Sequence, residues 1–206
     1  GYHDHRFIGV DMDLAISIDE NPLYEEVSNL LSNAAEISFE IENDSLIDSA
    51  NAGDLLNIPI SVKSLTAHSL PSGTSFNRES WLELIVYNGD EIIFSSGVVE
   101  NGESLDNQAD ENLLLFTSTM YDQDGEITNN ITEIDTLINY SLLAYQERWK
   151  YYNIYLPDSI ENEVFISARL LFRPFKPHFI LNHHPEFINN LPIFEIDSIN
   201  ATVNIN

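Results

Sequence analysis

The sequence predicts an all-β fold, an antiparallel immunoglobulin-like β-sandwich with one or two short helices. Three observations predict it. Apolar and polar residues alternate with a period of two in several short stretches, the pattern of strands with one buried face. Turn-forming residues punctuate those stretches throughout, as they do in all-β domains. Asn88-Gly89-Asp90 separates two such stretches, Trp81 to Tyr87 and Ile92 to Phe94, and Asn-Gly tolerates the positive φ that a tight hairpin requires.

Residues 1–35 read as an N-terminal extension that carries one helix. Asn21-Pro22 makes an N-cap and first-turn pair, Glu25 and Glu26 suit the positive end of the helix dipole, and Leu23, Val27, Leu30, Leu31 and Ala34 fall on one face. Residues 36–206 read as the sandwich. Ile37, Phe39 and Ile41 alternate with Ser38, Glu40 and Glu42 in a strand at 36–42. Leu56, Ile58, Ile60 and Val62 do the same at 55–64, where Pro59 argues for an edge strand or a bulge because it has no N–H to give a ladder. Strands at 81–87 and 91–96 form the hairpin, and Leu113 to Phe116 is a short buried strand. Tyr151 to Leu156 and 163–172 lie on either side of Pro157-Asp158-Ser159, and Ile193 to Ile205 closes the sheet. Thr132 to Leu143 is open between a crossing loop and a helix. Residues 97–111 read as an acidic, mobile loop, and a second helical turn follows Pro185. This amounts to roughly seven to nine strands, without the Cys…Trp…Cys core of antibody domains.

Composition narrows the function classes. The chain has 206 residues, enough to bury a core without staples, and 43% of them are hydrophobic. Eight basic residues against 34 acidic ones give a formal charge of −26, a field that repels nucleic acids and anionic membranes and favours cations or cationic partners. With no cysteine there is no disulfide, no cysteine nucleophile, no thiolate zinc site, no iron–sulfur cluster and no C-x-x-C-H haem attachment. No apolar run approaches the ~20 residues of a membrane span. No signal peptide is expected, and a start at Gly1 in place of Met suggests a processed product or a segment of a longer precursor. Gly-x-Ser-x-Gly, His-Glu-x-x-His and phosphate-binding glycine loops are all missing, so no enzyme is expected.

Three motifs stand out. The first is His3-Asp4-His5-Arg6-Phe7. The second is Ala67-His68-Ser69-Leu70-Pro71-Ser72-Gly73, followed by Arg78, Trp81-Leu82 and a hairpin ending in Phe94-Ser95-Ser96-Gly97. The third is Ala168-Arg169-Leu170-Leu171-Phe172-Arg173-Pro174-Phe175. Their order resembles the haem-free β-sandwich domain appended to multihaem c-type cytochromes, where the second motif usually reads Gly-His-x-Leu-Pro-Thr-Gly. Here Ala67 and Ser72 replace the Gly and the Thr. The resemblance spans Tyr2 to about Phe194. It implies a non-catalytic domain or subunit of an extracellular or periplasmic assembly that covers haems, lends axial histidines and mediates assembly into complexes or filaments. By the same carry-over His5 is the candidate distal ligand to haem iron, with His3 in reserve, and His68 on its loop is a second candidate. The haem c itself would belong to another polypeptide or a removed segment.

Each motif also has an ordinary reading. His68 can tie its own loop by hydrogen bonds, His3 and His5 can be surface residues of a frayed terminus, and Arg169 and Arg173 can pair with internal carboxylates instead of haem propionates. His178, His183 and His184 can be a polar loop. Asp122-Gln123-Asp124-Gly125-Glu126 fails as an EF-hand, because aligning Gly125 with the sixth loop position puts Met120 first and Ile131 twelfth. A weaker Ca2+ site there, or at Asp11 and Asp13, is left open. The alternative function is an extracellular, calcium-assisted adhesive or carbohydrate- or protein-binding sandwich, with Trp149, Tyr151, Tyr152 and Tyr155 as a sugar-stacking supply.

Overall fold

The computed structural model describes residues 9–39, 49–105 and 109–206. The chain folds as an all-β sandwich of two packed sheets, immunoglobulin-like in the loose architectural sense, with two short α-helices among the described residues. One sheet has three strands in the order β1 (Ala35–Phe39), β3 (Leu55–Ser64), β9 (Glu147–Tyr155), all antiparallel. The other runs β2 (Ser49–Ala50), β11 (Phe194–Ile205), β10 (Glu163–Arg173), β4 (Glu79–Asn88), β5 (Glu91–Ser96). β6 (Leu114–Phe116) joins β4 beyond the end of β5. Only the short β2–β11 pairing is parallel among the described strands. β7 (Ser118–Tyr121) and β8 (Thr136–Asn139) form a separate two-stranded arm, so the open segment 132–143 is mostly extended, with a 3-10 turn at Ile131–Glu133.

The period-2 pattern explains the core. Ile37, Leu56, Ile58, Ile60, Val62, Tyr152 and Ile154 of the small sheet bury against Leu82, Leu84, Val86, Val164, Ile166, Ala168 and Leu170 of the large one. On the opposite face of the large sheet Trp81 and Leu171, directly paired across β4 and β10, form a second small core with Leu105. Part of the 97–111 loop is therefore anchored, since Leu105 is buried and the Asp110 carboxylate accepts from Ser96 Oγ (2.9 Å) and the Gly97 amide (2.8 Å).

Two local expectations change. Pro59 lies in the middle strand of its sheet, paired with Tyr151 of β9. The described pairing with β1 stops at Phe39–Ile60, so the proline sits where that second ladder has ended among the described residues. Helix α1 (Tyr24–Leu31) buries Val27 and Leu31, and Ala34 just beyond it, in the main core, but Leu23 and Leu30 are exposed. The N-cap position falls at Leu23 in place of the expected Asn21, without a side-chain cap, and Asn21 instead accepts from the Leu23 amide at 3.1 Å ahead of the helix. Tyr24 stacks on Phe194, which docks the helix on β11. A second helix, α2 (Pro177–His183), and a 3-10 turn at Pro185–Asn190 follow β10. None of the described helices is long and apolar enough to cross a membrane.

Among the described residues β9 has its outer edge unpaired, and its core-side row carries Arg148 and Lys150. Arg148 lies over the Phe116 ring and Lys150 over the Tyr152 ring. Inward-pointing cations on an edge strand oppose strand addition from another chain. On the face away from the core the pairs Leu55–Tyr155, Asn57–Asn153, Pro59–Tyr151 and Ser61–Trp149 follow in register along β3 and β9, with Ser61 itself buried against Ser38 of β1.

Candidate functional site

The His68 loop is built by hydrogen bonds at both ends. After β3 the chain turns as Leu65 donates to the Ala34 carbonyl (2.9 Å) and Thr66 Oγ1 donates to the His68 carbonyl (2.8 Å). Leu70 and Leu142 exchange both backbone bonds, at 2.7 and 2.8 Å, and the Tyr145 amide donates to the Thr66 carbonyl at 3.3 Å. The segment after β8 is thus tied to the loop. The Leu70–Pro71 peptide is cis. Gly73 sits at φ +68°, and a Cβ there would lie 3.1 Å from Arg78 Nη1, which itself donates to the Ser72 carbonyl at 2.9 Å. The motif spacing therefore has a geometric reason. Pro71 and Gly73 shape a turn that closes on the Arg78 guanidinium.

Arg78 has only 16% of its side chain exposed, and its Nη2 reaches both carboxylate oxygens of Asp11 at 2.9 Å. This pair clamps the segment leading into α1 against the loop, a link that sequence reading missed because 67 positions separate the partners. The one available signal was the scarcity of cations, eight in the chain, which makes each a candidate clamp. A groove of about 360 Å³ opens beside it, lined by Val10, Leu31, Leu70, Pro71, His68 and Arg78 among others.

His68 is exposed at the rim, with its Nδ1 3.0 Å from the Ser69 carbonyl oxygen. A carbonyl only accepts, so Nδ1 carries the proton in that bond and neutral imidazole leaves Nε2 with its lone pair. That is the tautomer a metal takes at Nε2, and a backbone carbonyl on the other nitrogen is a common way to orient such a ring. The ring thus ties its own loop through Nδ1, and Nε2 is the nitrogen that a metal would take. His3 and His5 lie outside the described residues. Gly9, four positions after His5, lines the same groove.

The other candidates do not converge. His183 is edge-on to Phe179, His184 stacks near Phe187 with Glu186 3.4 Å away, and His178 lines a different cavity. No cluster of three His, Asp or Glu residues suited to a metal occurs among the described residues. Asp122 closes its own turn by accepting from the amides of Asp124 (3.0 Å) and Glu126 (2.9 Å), Asp11 is committed to Arg78, and Asp13 accepts from the Ala15 amide (2.9 Å). Arg169 and Arg173 pair across the sheet with Glu83 and Glu79, the residues directly opposite them on β4. Arg173 also lies over Trp81 and donates to the Glu103 carbonyl. Burial pushes the Tyr152 phenol far above its ordinary value, with Ser96 easing the shift and Asp110 adding to it. Desolvation lowers the Arg148 guanidinium, and the Glu36 carboxylate raises the Lys63 ammonium.

No family model matches the chain, and no curated protein does. The fold is similar to that of a penta-haem cytochrome c552 from Thermochromatium tepidum, at 13% identity and a TM-score of 0.63, over 85% of this chain. What the two share is the fold. The match spans 41% of the cytochrome chain. The sporulation control protein Spo0M from Bacillus subtilis (12% identity, 84% of this chain and 49% of that one) and the human F-spondin reeler domain (10% identity, 85% and 98%) align more loosely, at TM-scores of 0.35 and 0.29.

Proposed function

We propose that this chain is a haem-free sandwich of a multihaem c-type cytochrome assembly, covering haems carried by another polypeptide or a removed segment and lending His68 as an axial ligand. The observation that carries the reading is the exposed His68 ring at the groove rim, tied to its own loop through Nδ1. The order of the three motifs supports it, and so does the fold likeness to a penta-haem cytochrome. The absence of cysteine requires the haem to be attached elsewhere. His5 is the second candidate ligand and His3 its reserve. The groove beside His68 has apolar walls in Val10, Leu31, Leu70 and Pro71, which suit a porphyrin edge.

A cover needs a face to cover with. The segment tied beneath the His68 loop exposes Leu137, Ile138, Tyr140, Leu143 and Tyr145. Exposed apolar side chains gathered on one segment in this way suit an interaction site. Packing it against haem-bearing polypeptide would exclude water, lower the local dielectric and shift haem potential. The setting is extracellular or periplasmic, where such assemblies work. Purification from the native source under mild conditions tests this. A Soret band that co-elutes with the chain is expected, and a colourless chain with no haem-protein companion overturns it.

A further inference from the structure

The solvent-side face of β3 and β9 carries an uncharged stretch of this acidic surface, as does the arm at 136–145. One residue in five is charged and acids outnumber bases 34 to 8, yet the four successive pairs from Leu55–Tyr155 to Ser61–Trp149 contain no charge. A charged pair follows at the far end, where Glu36 meets Lys63 at 2.8 Å. Within the neutral stretch Trp149, Tyr151 and Tyr155 are 37%, 54% and 61% exposed, and Leu55 is 62% exposed. The Trp149 and Tyr151 rings lie near parallel, 27° apart with centroids separated by 6.5 Å. Between the aromatic positions Asn57 donates its amide to Asn153 at 2.6 Å, which leaves further amide hydrogens and lone pairs facing solvent.

The shape limits the occupant. From Trp149 to Tyr155 the stripe runs about 20 Å and is two strands wide, on the order of 300 Å², against about 800 Å² per partner in a stable protein interface. A second copy would bring another −26 charge against the first. A single linear sugar chain needs only a narrow, flat track. Its pyranose rings offer apolar C–H faces to aromatic planes, and its hydroxyls pair with phenols and amides. We propose that this face binds a neutral linear polysaccharide, and that the acidic surround excludes sulfated and uronic-acid chains. The site is separate from His68 and stands without the haem reading.

The chain carries two tryptophans, and Trp81 is fully buried, so a fluorescence change on adding glycan reports on Trp149. The probes are hydroxyethylcellulose, galactomannan and xyloglucan in solution, microcrystalline cellulose and chitin as solids, and alginate as the anionic comparison. The expected result is a saturable blue shift with at least one neutral soluble glycan or retention on one solid, with no response to alginate. Trp149→Ala with Tyr151→Ala should weaken retention at least tenfold while leaving the circular-dichroism spectrum intact, and His68→Ala should leave it unchanged. Tyr151→Ser alone serves if the double variant fails to fold. Absence of binding to all five neutral probes, equal binding by the variants, or equal binding of alginate overturns the proposal. So does a wild-type dimer that the double variant converts to monomer, which would assign the face to self-association.

Discussion

Gly97 shows how a single residue can fix a strand end against its neighbour. It sits at φ +72°, a region that L side chains rarely adopt, and its carbonyl accepts from Trp81 Nε1 at 2.9 Å. An added Cβ would meet the Leu82 carbonyl oxygen at 2.5 Å and Trp81 Cδ1 at 3.2 Å. Both the strain and the backbone collision act in the folded state, so Gly97→Ala should destabilise by about 2 kcal/mol or more. Urea unfolding measures it, and an unchanged midpoint would refute the assignment. His68 is the opposite kind of residue. Its substitution should cost little stability, because one exposed hydrogen bond is worth about 1 kcal/mol or less. Gly97 was legible only as part of a motif, since its reason lies in the approach of a neighbouring strand. The orienting carbonyl of His68 was equally invisible, because a side chain meeting the backbone one residue on leaves no pattern in sequence.

At the level of elements, strands were readable and their neighbours were not. Alternation in β3 and β10 reports burial directly, because a half-buried strand must alternate whatever it pairs with. Pro59 misled because sheet position depends on where β1 ends, which is a property of another segment. Leu23 and Leu30 fit a helical stripe but lie outside the part of α1 that Phe194 and the core cover. Arg169 and Arg173 were legible as candidate internal anchors, and the register of β10 on β4 supplies their partners. The Glu79–Arg173 pair is wholly buried, so removing one charge strands the other. Glu79→Gln should therefore cost about 3–5 kcal/mol, the range for breaking a buried pair from one side. A thermal melt checks it, and a loss under 1 kcal/mol would mean that Glu103 and the Trp81 ring suffice for Arg173.

For the whole molecule, charge was the plainest message of the sequence, and the fold spreads it over a surface with few cations to balance it. Like-charge repulsion should ease as ions screen it, with a Debye length near 10 Å at 0.1 M and about 3 Å at 1 M. The melting temperature should accordingly rise in molar NaCl, or in millimolar calcium, over dilute buffer. A flat or falling value in both would show that the surface charge costs the fold nothing. The candidate site was half legible. The His-x-x-Pro-x-Gly spacing and the later arginine were visible as a motif, whereas the Asp11 clamp, the groove and the apolar arm beside them come from long-range contacts. The assembly with its haem-bearing polypeptide offers the most direct test, by visible and electron paramagnetic resonance spectra of wild type and His68→Ala. The account predicts that one haem loses its low-spin bis-imidazole signal in the variant and that its reduction potential rises. Full retention of the low-spin signal and unaltered potentials would contradict it and leave His68 as a loop tie.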